Sequence, residues 1–117
     1  MKTDIEQAEW ASYFTEYTRR NEGRPTRLEV IGGVGDDDFW LECGIPLTGI
    51  DTETRGKDAP RVEIMLGGGS SRQSENHLTR NIARVRRVTP ETSADGQDEG
   101  LEIEDVEGIK TILRFET

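Results

Sequence analysis

The sequence holds one cysteine, Cys43, and one histidine, His77, in 117 residues. An internal disulfide and a multi-cysteine zinc cage are therefore excluded, as is a histidine-rich transition-metal site within one protomer. Lysine is scarce too, with three residues against 12 arginines. No apolar run approaches the ~18 residues of a membrane-spanning helix. Met1-Lys2-Thr3-Asp4 lacks an apolar signal core, so the expected location is the cytoplasm and no membrane partner is expected. Leu, Ile, Val and Phe together number 25 of the 117 residues. That lies just above the ~20% below which a chain tends to stay disordered. A core is possible, but it must be thin and efficiently used.

What the chain has in excess is acid: 24 Asp and Glu against 15 Lys and Arg, a net charge of −9. Such a surface favours solubility and suits high salt, and over most of its area it repels nucleic acid and anionic membranes. The length fits one domain spanning 1–117.

The spacing predicts a helix over 3–22, opened by a Thr3-x-x-Glu6 capping box. Trp10, Tyr13, Phe14 and Tyr17 fall on one face at i, i+3, i+4 and i+7. Gly23 and Pro25 stop the helix. Beyond Pro25 the period changes to two, giving an antiparallel β region over 26–116. Leu28 and Val30 mark a first strand, and Gly32 to Asp38 a turn. Phe39, Leu41, Cys43, Ile45 and Leu47 share one face of a long second strand that Thr52-Glu53-Thr54 could extend, with Trp40 on the other face. Pro46 makes that strand an edge or bends it. Val62, Ile64 and Leu66 mark a third strand, and 67–76 reads as a flexible Gly/Ser loop. Residues 77–88 read as one irregular strand, and 101–115 as a hairpin turning at Glu107-Gly108. The expected fold class is α+β: an N-terminal amphipathic helix packed on a five- or six-stranded antiparallel sheet or small β-barrel.

The chain resembles an uncharacterised bacterial family of short acidic proteins, a domain of unknown function. The resemblance covers most of residues 5–116. It rests on Glu9-Trp10 with Tyr13-Phe14, on Leu28-Glu29-Val30 and on Gly44-Ile45-Pro46-Leu47-Thr48-Gly49-Ile50. His77 through Val88 also matches, as do Leu101-Glu102-Ile103-Glu104 and Gly108 through Phe115. The 67–76 loop departs from that pattern as an insertion. The resemblance implies no activity.

No catalytic constellation stands out, and neither a catalytic residue, a metal nor a cofactor is expected. Cys43 shares parity with apolar neighbours, where a free thiol is an inert core residue. Asp36-Asp37-Asp38 lacks the alternating ligands and distal Glu of a calcium loop, and Asp95, Asp98 and Glu99 read likewise as a solvated turn. Gly32-Gly33-Val34-Gly35 precedes no helix, and Gly67-Gly68-Gly69 lacks a Walker lysine. Arg80, Arg84, Arg86 and Arg87 form the least ordinary feature, because they lie within eight residues free of acid. On one strand Arg80, Arg84 and Arg86 would point the same way, toward a protein partner, toward phosphates, or toward this chain's own acids at Glu63, Glu102 and Glu104. Trp40 is either covered by the helix or exposed beside Met65 and Ile112 as an interface patch. The expected function is a non-enzymatic interaction or accessory domain, self-associating or bound to a protein partner. The alternatives are nucleic-acid binding through the Arg80–Arg87 strand, and an enzyme with a small acidic pocket using Asp51 or Glu53 as base.

Overall fold

The computed structural model describes residues 4–32, 39–67 and 77–115, and for residues 39–44 and 77–78 their backbone alone. The Thr3 cap, the turn at 33–38, the loop at 68–76 and the side chains of Trp40, Cys43 and His77 lie outside the described residues. The elements are α1 (Trp10–Asn21), β1 (Pro25–Ile31), β2 (Phe39–Glu53), β3 (Arg61–Gly67), β4 (His77–Ile82), β5 (Val85–Thr92), β6 (Asp98–Asp105) and β7 (Lys110–Phe115). All the strand pairs are antiparallel, and the strands form one sheet in the order β4-β3-β2-β1-β7-β6-β5.

The fold is α+β as expected, with one correction, to the strand count, and with the open sheet holding of the two alternatives, sheet or barrel. Among the described residues the sheet has seven strands, because residues 77–88 fall in two strands rather than one. It also remains open, with β4 and β5 as its two ends. Those ends nevertheless lie close at one point. Only Ala83 and Arg84 separate Ile82 from Val85, so the Cα atoms of that pair are at most roughly 11 Å apart. The sheet is therefore strongly curled without closing.

Curling follows from the long strand. The first part of β2 pairs with β1, ending with Pro46 opposite Pro25. The second part pairs with β3 from Leu47 onward, with a bulge between Leu47 and Gly49. Proline has no N–H to give to a ladder, and Pro46 sits where the strand changes partners. Of the two alternatives for Pro46, the bend holds: β2 is a central strand.

The helix differs from expectation at its start. Gln7–Glu9 form a single 3-10 turn, and Glu6 makes no side-chain cap bond. The reason is that residues 4 and 5 are held elsewhere. The Ile5 N–H donates to the Val88 carbonyl at 2.9 Å, the Thr89 hydroxyl donates to Asp4 at 2.6 Å, and Arg87 pairs with Asp4 at 3.1 Å. Trp10 then donates its indole N–H to the Ile5 carbonyl at 2.8 Å.

The aromatic face does what its spacing predicts. Trp10, Phe14 and Tyr17 are buried in one cluster with Leu28, Leu47, Ile64, Leu101, Ile103 and Leu113. Each such burial contributes on the order of 1.5–3 kcal/mol, enough for three aromatics to hold the helix in place. The α1 helix packs mainly against β2. Backbone bonds between Gly23 and Leu47 and between Leu47 and Arg24, at 2.9 and 3.0 Å, fasten its exit to that strand.

Candidate functional site

The arginines do not form one stripe. Arg80 lies in β4 at one end of the sheet, whereas Arg86 and Arg87 lie in β5 at the other. Arg80 pairs in register with Ile64 between Leu78 and Ile82, whose partners are the buried Leu66 and Val62. Its side chain therefore faces inward, and its guanidinium donates to the Thr111 hydroxyl at 3.2 Å. Burial lowers its pKa, and the Asp105 carboxylate partly offsets this. Arg84 sits in the link with a left-handed φ of 50° and pairs with Glu107 at 3.5 Å. Arg87 pairs with Asp4 and, at 3.3 Å, with Glu104. Of the partners expected within the chain, Glu104 is the one used. Arg86 is exposed. The broken parity at Ala83 and Arg84 marks the chain leaving one sheet end for the other, and a bulge within a single strand would look the same in sequence.

Trp40 lies opposite Glu29, and Cys43 opposite Arg27, in the β1–β2 register. These backbone positions are the extent of what the structure describes for both.

Sheet edges are the places where backbone donors and acceptors stand ready for another chain. This fold covers its β5 edge with its own segments. The α1 helix lies beside the half of β2 that β1 leaves unpaired, with Thr15 and Thr18 lining a small recess against Gly49, Ile50 and Asp51. The β5 edge receives Ile5 at Val88, and the Arg84 and Val85 N–H groups donate to the carbonyls of Asp58 and Pro60, each at 2.9 Å. Among the described residues, no backbone bond reaches the outer edge of β4.

Beside that edge is an open cleft of about 490 Å³ lined by Asp51, Thr52, Glu53, Arg61, Glu63 and Asn81. The register explains how these residues meet. Asp51 on β2 lies opposite Glu63 on β3, and Glu63 opposite Asn81 on β4. They form one row across three strands, on the face away from Val62, Ile64 and Leu66. Glu53 and Arg61 are the neighbouring pair. Two carboxylates directly opposite each other on antiparallel strands repel. Among the described residues neither Asp51 nor Glu63 makes an ion pair. The alternation of β2 and β3 put these carboxylates on outward positions, but the pairing of Asp51 with Glu63 depends on a register that single-strand patterns do not contain.

A second polar cluster was not legible in the sequence. Asp98, at the start of β6, accepts from Arg20 Nε at 2.8 Å and from Asn21 Nδ2 at 2.9 Å, and its carbonyl accepts from Arg24 at 3.1 Å. Burial pushes the Asp98 carboxyl up. The Arg20 and Asn21 bonds and the Arg20 and Arg24 charges outweigh it, so the group sits below its ordinary value. Burial, and then the Asp98 charge, push the nearby Tyr17 hydroxyl well above its ordinary value. Arg24 lies 4.1 Å above the Phe115 ring. Arg20 is paired with Asp98, and Arg24 donates to the Asn21 side chain and the Asp98 carbonyl, so this cluster fastens the helix end to the sheet. Asp98 is thus a structural acceptor rather than part of a solvated turn.

No helix among the described residues is long and apolar enough to cross a membrane. Compared with family models, with curated proteins and with solved structures, the chain matches none.

Proposed function

We propose that this chain is a non-enzymatic interaction domain that takes up a second chain by strand addition along β4. The observation that carries this reading is the unequal treatment of the two end strands: the β5 edge is bonded by the chain's own segments, whereas among the described residues no backbone bond reaches the outer edge of β4. Main-chain pairing supplies affinity in such recognition, and alternate side chains supply specificity. Site-specific photo-crosslinking tests it. A crosslinker replacing the exposed Asn81 should capture a polypeptide in the source cells, whether another protein or a second copy, and one replacing the exposed Glu22 at the end of α1 should not. Equal capture at both positions, or none at Asn81, would overturn the reading.

The nucleic-acid alternative loses its stripe, since Arg80 faces inward and Arg87 is paired. It would return if a low-salt mobility shift were abolished by Arg84→Glu with Arg86→Glu. The acidic-pocket alternative keeps one supporting feature, the cleft holding Asp51, Glu53 and Glu63. Asp51 and Glu53 are exposed, so the dry surroundings that separate an acid from a base in general catalysis are missing there.

A further inference from the structure

We infer that the chain taken up by β4 is an extended segment that sets a Lys or Arg opposite Asn81; this rests on the strand-addition reading. The row Asp51–Glu63–Asn81 runs straight across the sheet toward the β4 edge. A strand added there places a residue one spacing beyond Asn81, ~4.8 Å away, and ~10 Å from Glu63. A long cationic side chain at that position lies across Asn81 and brings its head to Glu63. It relieves the repulsion between Glu63 and Asp51, a pair worth on the order of 0.2–1 kcal/mol in such cross-strand contacts. The pleat sends every second side chain to this face, and the neighbouring row Gly49–Met65–Thr79 is uncharged, so the acidic row selects one cationic position. The net charge of −9 steers such a segment inward from solution.

A second copy of this chain fits less well. Two β4 edges paired with Asn81 opposite Asn81 bring two Asp51–Glu63 rows onto one face, like charge toward like. Each copy carries the same excess of acid. Among the described residues lining the cleft the cation is Arg61, which lies opposite Glu53 in the neighbouring row and leaves the row itself acidic.

The test uses the full chain and three nine-residue peptides in which Thr alternates with Lys, Glu or Ser. Binding is read by fluorescence anisotropy, and the contact by amide exchange of Thr79–Ile82. The Lys peptide is expected to bind and protect those amides. Asp51→Asn with Glu63→Gln should weaken it about tenfold, whereas Glu22→Gln with Glu99→Gln, an equal charge change elsewhere, should weaken it less than twofold. Circular dichroism and the melting transition confirm that both variants are folded. Equal binding and protection by the Ser peptide would overturn the basic partner and leave strand addition standing. Lys-peptide binding with no protection of Thr79–Ile82, or equal losses in the two double variants, would reduce the interaction to general attraction and overturn the inference. Protection of β4 in the protein alone, with a dimer in sedimentation, would make a second copy the occupant. No protection by any peptide, and none in the protein alone, would remove the strand-addition reading together with the inference.

Discussion

At the scale of single residues, two positions carry constraints that composition hides. A Cβ on the buried Gly100 would lie 2.5 Å from the Leu113 carbonyl oxygen, which is backbone and cannot swing aside. Gly100→Ala should therefore cost ~1–3 kcal/mol in urea unfolding through strain between β6 and β7. A cost under a few tenths would show that the strands separate easily. Asp98 is the second position. Its folded pKa lies below the ordinary ~3.9, so it contributes stability above that value and loses it as pH falls through the lower, folded value. Asp98→Asn should lower stability at pH 7 by ~1–3 kcal/mol, since it leaves the Arg20 charge without its carboxylate. It should also flatten the fall in stability below pH ~4. Equal slopes for the two proteins in that range, measured by urea titration, would count against the assignment.

At the scale of elements, the N-terminal strap is the unit that sequence patterns misjudge. Thr3-x-x-Glu6 has the letters of a capping box, yet Asp4 and Ile5 are held by β5, and the α-helix begins at Trp10, which bonds back to Ile5. The strap joins residues more than 80 positions apart, beyond any local signal. Asp4→Ala and Trp10→Phe should each cost ~0.5–1.5 kcal/mol and speed exchange of the Ile5 amide. Because both act on one segment, a double-mutant cycle should show coupling of at least ~0.5 kcal/mol; strict additivity would mean that the strap does not move as a unit. The helical stripe was legible because Trp10, Phe14 and Tyr17 repeat on the period of the helix that buries them. The alternations at Val62-Ile64-Leu66 and Leu101-Ile103 were legible for the same reason, one inward face per strand. The stretch at 77–88 was not, because a two-residue link carrying the chain between opposite sheet ends looks in sequence like an irregular strand. The cleft needs three strands in register, information that lies in pairings between distant segments.

At the scale of the whole molecule, a thin apolar supply still closes a compact core. The radius of gyration of 13.8 Å is close to the ~13.4 Å expected of a folded chain this long. The curl of the sheet explains the economy, since one helix covers what a flat seven-stranded sheet would leave wet. The surface then has to carry the net charge of −9. Among the described residues two ion pairs, Arg19–Glu16 and Arg84–Glu107, are half or more exposed on both sides, and exposed pairs contribute little. With a net charge of −9, repulsion among the acids should outweigh them, and added salt screens both. Raising NaCl from ~20 mM to ~500 mM shrinks the Debye length from roughly 20 Å to about 4 Å, which removes the long-range repulsion first. The melting temperature should rise by ~2–5 °C over that range, on the scaling that 1 kcal/mol moves a domain of this size by several degrees. Binding of the Lys peptide should weaken over the same range, because that attraction crosses the same screened distance. Opposite signs for stability and affinity in one titration separate self-repulsion from partner attraction. A melting temperature that falls with salt would mean that the internal pairs, led by Arg20–Asp98, outweigh the excess of acid.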